Sequence, residues 1–320
     1  MENTIAQMTH KENSSQLFLK ELIHEIEQND SLHSKKLKIN LKQIIEENES
    51  QFDEFLYLIF KYYADQKIEP TDLARDYLKM VNDMRREGLY FLRSGEYSCK
   101  NQTMAFENVY SNKIIMAYYM NALLISQILW KHHFNMFMYF RKNLNIYFKK
   151  TDEINILDVG PGHGFFSFII KNSIPNYKRI DIVDISESSL NMTEIIIGKE
   201  SGKICYHNND IFDFNSSFKY DLIVIGEVIE HLDKPIEILK KLSDLLTSDG
   251  ILWLTAPTNA PALDHVYLFK AREEIIEIIK MSDLDVIDSF GCYSEDVNDE
   301  IAKKNKVTQL IGAFCKKKIV

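Results

Sequence analysis

Residues 156–165 read Ile-Leu-Asp-Val-Gly-Pro-Gly-His-Gly-Phe, and at this point the helical periodicity of the chain changes to an alternating α/β pattern. An apolar run leads into three glycines at alternate positions, Gly160, Gly162 and Gly164, and then into a helical pattern. Such glycines let the backbone turn sharply and let a ligand approach the strand end and the helix N-terminus. The stretch therefore predicts a ligand-binding strand-turn-helix unit, whose residues 158–164 we call the glycine loop.

From residue 154 onward, short β-branched runs alternate with helical stretches. This alternation predicts a mainly parallel sheet with right-handed crossovers. The predicted strands cover 155–159, 179–184, 203–207, 221–225, 250–255, 284–289 and 307–315, and the predicted helices cover 164–173, 187–198, 235–246 and 271–280. We expect residues 151–320 to form a doubly wound, seven-stranded, Rossmann-like α/β domain.

The first half of the chain has apolar residues at intervals of three and four, and no strand is evident there. It predicts an all-helical N-terminal domain over residues 1–150. The predicted helices are one at 71–87, ended by Gly88, and two more at 112–130 and 132–148.

Composition excludes several classes of protein. The 320 residues carry a formal net charge of -9, which is a poor match for the phosphate backbone of nucleic acid. Residues 114–130 lack charges, but they are short for a membrane span and contain polar side chains, which favours a buried helix. Four scattered cysteines and an N-terminus without an apolar signal-peptide core favour a cytoplasmic location. Nothing in the sequence sets the oligomeric state.

Acidic residues follow or precede the predicted strand ends. Asp184 ends the second strand, where a carboxylate can accept hydrogen bonds from both hydroxyls of a ribose. Asp210 follows the third strand, where it can bond an adenine amino group while Ile211 packs on the base. Asp158 would repel a pyrophosphate but suits a ligand with an ammonium and a sulfonium. The glycine spacing also differs from that of nicotinamide-binding folds, so the pattern indicates S-adenosylmethionine as cofactor.

These motifs, together with Gly226-Glu-Val-Ile-Glu-His-Leu232, resemble the successive motifs of class I S-adenosylmethionine-dependent methyltransferases. The last motif is similar to the branch that acts on small molecules such as quinone precursors. The resemblance covers residues 151–320 and implies that the last two strands form an antiparallel hairpin at the sheet edge. It implies that Asp158, Gly160, Gly162 and Gly164 line the methionine part, Asp184 the ribose and Asp210 the adenine, with Glu227 and His231 at the end of the fourth strand.

Methyl transfer is an in-line displacement on an activated carbon, so the protein positions the acceptor and, where needed, removes its proton. His231 is the candidate general base because its ordinary pKa lies near working pH. A bracing role for His231 is the alternative, and Glu227 and His163 are the other catalytic candidates. The sequence predicts no metal site, since no cluster has zinc-ligand spacing.

The helical half is predicted to form a lid whose aromatic side chains line a substrate pocket, and their alternative role is as ordinary core. The candidates are Tyr110, Tyr118, Tyr119 and Trp130. The sequence thus predicts an S-adenosylmethionine-dependent methyltransferase that acts on a small-molecule acceptor in biosynthesis. Two alternatives stay open: a cofactor cyclase similar to azetidine-2-carboxylate synthases that releases methylthioadenosine, and a non-catalytic cofactor sensor.

Overall fold

A seven-stranded sheet organises the second half of the chain in this computed structural model, which describes residues 2–318 and their side chains from Ser14 onward. The strands are β1 Asn155–Val159, β2 Arg179–Asp184, β3 Ile204–Asn208, β4 Tyr220–Gly226, β5 Leu246–Thr258, β6 Leu284–Tyr293 and β7 Gln309–Lys317. Their spatial order is β3-β2-β1-β4-β5-β7-β6. The first five pair in parallel, while β7 runs antiparallel to both β5 and β6. The predicted doubly wound, mainly parallel sheet and its antiparallel last pair are confirmed.

The central strands are mostly apolar because helices cover both faces of a parallel sheet. Ile223, Val224 and Ile225 of β4 have no exposed surface, and their neighbours in β5 are equally buried. This continuous burial explains why these strands could be predicted from the sequence.

Six helices of the described chain precede the sheet. They are α1 Glu2–Asn29, α2 Ser31–Asp65, kinked at Asn48, α3 Pro70–Ser94, α4 Gln102–Ala105, α5 Lys113–Leu129 and α6 Lys131–Tyr147, with a π-helical turn at Phe106–Tyr110 after α4. Among residues 2–318, no helix alone is long and apolar enough to cross a membrane, and α5 and α6 meet that test only as a sharply bent pair.

The predicted end of α3 at Gly88 is wrong, because the helix continues to Ser94. The apolar stripe of the helix extends past the glycine to Phe91, whose side chain is buried. A glycine inside a helix costs about 1 kcal/mol, and burying a phenylalanine ring offsets that cost.

The helices between and beside the strands are α7 Phe165–Ser173, α8 Glu187–Ile197, α9 Pro235–Leu245, α10 Arg272–Lys280 and α11 Asp299–Asn305. Four of them match the prediction to within a residue or two. The fifth, α11, was not predicted, because it is short and Ala302 is its buried residue, so it shows no apolar periodicity.

The two compact units of the chain do not divide at residue 150. The helical unit contains residues up to Asp83 and Ala117–Phe134, and the α/β unit contains Met84–Met116 and the residues from Asn135 onward. Most of α6 belongs to the α/β unit, since Tyr139 stacks on Phe290 and Phe140 packs against Trp253, with ring centroids 4.8 and 5.1 Å apart. Helical periodicity reveals a buried face but not its partner, so the sequence could not place this boundary.

The helical unit has its own core. Phe18 of α1 stacks on Tyr63 of α2 at 5.8 Å, and Phe55 contacts Phe134 edge-on at 5.6 Å. The Tyr63 hydroxyl donates to the carbonyl of Asn121, so this buried hydroxyl finds its partner inside the unit.

Candidate functional site

The glycine loop leaves β1 with three left-handed residues. Gly160, Gly162 and Gly164 have φ angles of 62°, 56° and 75°. A Cβ atom on Gly160 would lie 2.5 Å from a methyl of Val228, and one on Gly164 would lie 2.9 Å from a methyl of Thr193. At Gly162, in contrast, an added Cβ would meet no described atom within 4 Å. Packing therefore requires the outer glycines, while the middle one leaves open space for a ligand.

Asp158 lies at the end of β1 with only 1% of its surface exposed. The Ser167 hydroxyl donates to its carboxylate at 2.5 Å. Burial raises the pKa of Asp158 to about 7, the Ser167 hydrogen bond opposes this rise and the charge of Asp184 adds to it. A cation beside this carboxylate would favour its ionised form.

Asp184 ends β2 and is tied to the glycine loop. The backbone N–H of Ser186 donates to its carboxylate at 2.8 Å. Burial raises the pKa of Asp184 to about 7, while hydrogen bonds from the backbone N–H groups of Ser186, Gly162 and Ile185 act in the opposite direction. Since Gly162 and Asp184 are in hydrogen-bond contact, the open space at Gly162 adjoins this carboxylate.

Ile185 was missed by the sequence analysis. It follows Asp184 directly, and its side chain is 39% exposed although it is large and apolar. The side-chain amide of Asn208, at the end of neighbouring β3, donates to the carbonyls of Asp184 and Ile185 at 3.1 Å. An apolar residue after the acidic end of β2 was the available signal.

Asp210 and Ile211 lie in the turn after β3. The backbone N–H of Phe212 donates to the Asp210 carboxylate at 2.9 Å. Ile211 is only 7% exposed and belongs to the apolar core around β1, β2 and β4. Core packing therefore takes most of the surface of Ile211 that was expected to cover a base.

His163 projects from the glycine loop. Its Nδ1 accepts a hydrogen bond from the backbone N–H of Phe165 at 3.3 Å, which helps to begin α7. Its ring centroid lies 6.2 Å from that of Phe137, on the part of α6 that belongs to the same compact unit.

Glu227 follows β4 in a strained conformation, with a φ of 54°. Its backbone N–H donates to the carbonyl and hydroxyl oxygens of Thr255 in adjacent β5, both at 3.1 Å. Burial raises the pKa of Glu227 to about 7, and its Oε1 has no hydrogen-bond partner within residues 14–318. Such a conformation in a non-glycine residue persists where the surrounding structure holds it, and here the two hydrogen bonds to Thr255 do so.

Three further polar residues converge beside the end of β4. Glu230 is 1% exposed, and neither carboxylate oxygen finds a hydrogen-bond partner in the described part of the chain. His231 presents Nε2 to Glu230 at 3.7 Å, and the His231 and His265 ring centroids are 4.8 Å apart. Burial raises the pKa of Glu230 well above its usual range, and burial lowers that of His265 to about 4.

The loop after β5 supplies the partners of these residues. Nδ1 of His231 is 3.0 Å from the carbonyl of Asp264, and the Tyr110 hydroxyl donates to the Asp264 carboxylate at 2.9 Å. Backbone N–H groups of Val266 and Tyr267 both donate to the carbonyl of Glu230 at 2.8 Å. These bonds fix the loop after β5 against the turn after β4.

The sequence predicts no metal site, and three potential metal ligands lie close together beside the end of β4. Glu230, His231 and His265 place one potential ligand atom each within 4.8 Å of one another. The sequence analysis named His231 as a candidate base and did not bring it together with Glu230 and His265. The available signal was that both histidines follow neighbouring parallel strands, since Gly226 of β4 is paired with Thr255 of β5.

The predicted pocket aromatics have partners inside the helical unit. Tyr118 donates its hydroxyl to Asp83 at 2.7 Å, and Trp130 donates its indole N–H to the Tyr77 hydroxyl at 2.8 Å. Tyr119 is 5% exposed and contacts the ring of Tyr118 edge-on. Tyr110 alone among the four predicted aromatics lies in the α/β unit, 6.2 Å from His231 between ring centroids.

Residues 157–252 match a family model described as a methyltransferase domain. Malonyl-[acyl-carrier protein] O-methyltransferase 1 of Ilyobacter polytropus is 33% identical over 98 residues, which are 31% of this chain and 36% of that protein. Ubiquinone biosynthesis O-methyltransferase of Glaesserella parasuis is 24% identical over 131 residues, which are 39% of this chain and 53% of that protein. The chain thus spans about a third to a half of the length of these relatives.

The solved structure of mitomycin 7-O-methyltransferase MmcR matches with a TM-score of 0.54 at 13% identity, over 78% of this chain and 72% of that chain. This match shows the fold. The family model and the glycine loop support a class I S-adenosylmethionine-dependent methyltransferase domain within the α/β unit. S-Adenosylmethionine is the cofactor of that class.

Proposed function

We propose that this protein transfers the methyl group of S-adenosylmethionine to an oxygen atom of a small-molecule acceptor in a biosynthetic reaction. The observation that carries the proposal is the glycine loop, where Gly162 leaves open space and hydrogen-bonds the carboxylate of Asp184. The names of the two curated relatives support an oxygen acceptor. Because they match only part of their length, the acceptor class belongs to the proposal.

The residues at the carboxyl ends of the parallel strands fit the parts of the cofactor. Asp158 and the glycine loop would hold the methionine part, and Asp184 would accept hydrogen bonds from the ribose hydroxyls. Asp210 would bond the adenine amino group, with the exposed side chain of Ile185 against the base and Ile211 at its edge. The cofactor, when bound, supplies a methyl group activated by a sulfonium.

The acceptor would lie at the ends of β4 and β5, beside Glu227 and His231. The protein's task there is to hold the acceptor oxygen in line and about 3 to 3.5 Å from the methyl carbon, and to exclude water. His163, on the neighbouring loop, is the further candidate for contact with cofactor or acceptor. A lid role for the helical unit, with Tyr118, Tyr119 and Trp130 as lining residues, stays a prediction.

The matched names favour methyl transfer over the two alternatives. Both curated relatives reported above are called methyltransferases, and neither name supports cyclisation of the cofactor. A cytoplasmic location remains an expectation of the sequence.

The products separate the three possibilities. We would incubate the purified protein with S-adenosylmethionine and a panel of hydroxyl and carboxylate compounds, and quantify cofactor products by mass spectrometry. We expect S-adenosylhomocysteine to form only when an acceptor is present. Methylthioadenosine formed without an acceptor would contradict the proposal in favour of cyclisation, and an intact, bound cofactor under every condition would favour a sensor.

A further inference from the structure

We propose that Glu230, His231 and His265 bind a divalent first-row transition-metal cation. The cluster lies in the α/β unit where the turn after β4 meets the loop after β5. The family match and the cofactor motifs assign no cation to it.

The first argument is the unpaired polar atoms. Both carboxylate oxygens of the buried Glu230 lack a hydrogen-bond partner among the residues that the structure describes, and so does the buried Nδ1 of His265. Burying a carboxylate without partners costs several kcal/mol. Buried charges in proteins are paired or coordinate metals, so these atoms point to a missing cation.

The second argument is distance. The Glu230 and His231 atoms are 3.7 Å apart, and all three potential ligand atoms lie within 4.8 Å of one another. Two ligands about 2.1 Å from one cation lie at most about 4.2 Å apart. That limit applies to ligands on opposite sides of the cation, so the widest pair would have to close by at least about 0.6 Å on binding, through rotation of the side chains.

The third argument is orientation of the ligands. Nδ1 of His231 faces the carbonyl of Asp264 at 3.0 Å, so a proton on Nδ1 leaves the lone pair of Nε2 toward Glu230. The ring of His265 is hydrogen-bonded to the backbone of Ala260, which leaves Nδ1 for the cation. Metal-binding histidines commonly donate their second ring N–H to a carbonyl or carboxylate, which fixes the ring.

The donor set selects the cation. Two imidazole nitrogens with one or two carboxylate oxygens suit Mn²⁺ to Zn²⁺, whereas Mg²⁺ and Ca²⁺ prefer oxygen ligands alone. A cation with three protein ligands keeps coordination positions open. If the proposed function holds, an oxygen atom of the acceptor occupies such a position, and this step rests on that function. His231 then holds the cation and is not the general base, because its lone pair is committed.

Direct binding of Mn²⁺ tests the site without cofactor or acceptor, so its outcome is independent of the proposed function. Isothermal titration of the metal-free full-length protein should show one saturable Mn²⁺ site per chain. Glu230→Gln and His265→Asn should each weaken Mn²⁺ binding at least about tenfold, by loss of a direct ligand. The matched controls Glu237→Gln and His24→Asn change exposed residues outside the cluster and should bind as the unchanged protein does.

Glu230→Gln keeps the size of the side chain and replaces a buried carboxyl group by a neutral amide, so it should fold, which circular dichroism would verify. The proposal is overturned if the unchanged protein shows no saturable Mn²⁺ binding. It is equally overturned if Glu230→Gln binds Mn²⁺ with unchanged affinity.

Discussion

Three aromatic side chains of the helical unit and two carboxylates at the end of β4 in the α/β unit differ in whether their polar atoms find hydrogen-bond partners. In the helical unit the indole of Trp130, the hydroxyl of Tyr118 and the hydroxyl of Tyr63 all have hydrogen-bond partners within the same unit. At the end of β4, Oε1 of Glu227 and both carboxylate oxygens of Glu230 have no hydrogen-bond partner among residues 14–318, and Glu227 also has a left-handed backbone.

This difference shows which part of the chain lowers the folding stability of the protein. Folded proteins satisfy their buried polar groups, and local departures from that rule concentrate where ligands bind. Folding alone accounts for the aromatic side chains of the helical unit, whose polar atoms are hydrogen-bonded. The carboxylates without hydrogen-bond partners at the end of β4 indicate a ligand-binding position. Three substitutions would break or sharpen this contrast.

The largest expected effect concerns Asp158 and pH. Its folded-state pKa of about 7 lies above the ordinary value of 3.8, so the folded state holds its proton while the unfolded state loses it. The contribution of Asp158 to stability is therefore present below about pH 4 and is lost as pH rises to about 7. Asp158→Asn should remove this dependence, so the variant should gain stability relative to the unchanged protein by on the order of 4 kcal/mol between pH 4 and 8.

Urea unfolding of the ligand-free proteins across this pH range measures that difference. Asp181→Asn offers a contrast, because the pKa of Asp181 is lowered, chiefly by hydrogen bonds from Arg179, His207 and Tyr220 that outweigh burial. If the free energy of unfolding changes with pH in the same way for the unchanged protein and Asp158→Asn, then Asp158 is ionised in the folded protein over this whole pH range and the prediction is wrong.

The next effect concerns the open space at Gly162. Gly162 and Gly202 have φ angles of 56° and 79°, and neither has described atoms within 4 Å of an added Cβ. Substitution by alanine should therefore cost each variant a similar 1 to 2 kcal/mol of stability, from left-handed strain. Only Gly162→Ala should weaken S-adenosylmethionine binding, by at least about tenfold, because its methyl group enters the space that the cofactor needs.

Equilibrium unfolding and cofactor titration of both variants check this pair. Equal cofactor affinity in Gly162→Ala and Gly202→Ala would mean that the space beside Gly162 is not the cofactor site.

The smallest effect concerns Trp130 of the helical unit. Trp130→Phe keeps an aromatic ring but loses the hydrogen bond to Tyr77, which should cost about 1 kcal/mol of stability. A cycle with Tyr77→Phe should show that the two losses are not fully additive, since both variants lose the Trp130–Tyr77 bond and Tyr77→Phe also loses the bond of this hydroxyl to His33. Cofactor affinity should not change. A severalfold loss of affinity with unchanged stability would instead assign Trp130 to a ligand site.

Local features of this fold could be predicted because their signal is contiguous in sequence. β1 and β2 have the predicted bounds, since each is a short apolar run closed by a glycine or an aspartate. The extension of α3 past Gly88 could not be predicted, because it depends on the burial of Phe91. The unit boundary inside α6 depends on tertiary packing in the same way.

The same distinction between contiguous and tertiary features applies to the candidate site. The glycine loop is one uninterrupted stretch, so its left-handed glycines could be anticipated from the spacing alone. The cluster of Glu230, His231 and His265 joins residues from two loops, and it forms because β4 and β5 are parallel neighbours. No sequence pattern showed that Glu230 would be buried without a partner.

Calorimetric titration of S-adenosylmethionine into the unchanged protein, Asp184→Asn and Asp184→Ala tests the central claim most directly. Asp184→Asn retains an oxygen that can accept from Ser186, which separates a folding defect from loss of the ribose contact. A lost charge-assisted hydrogen bond costs about 1.5 to 3 kcal/mol, so both variants should bind at least about tenfold more weakly, and Asp249→Ala, at an exposed position, should not. If folded Asp184→Ala binds S-adenosylmethionine within twofold of the affinity of the unchanged protein, the carboxyl ends of the parallel strands are not the cofactor site.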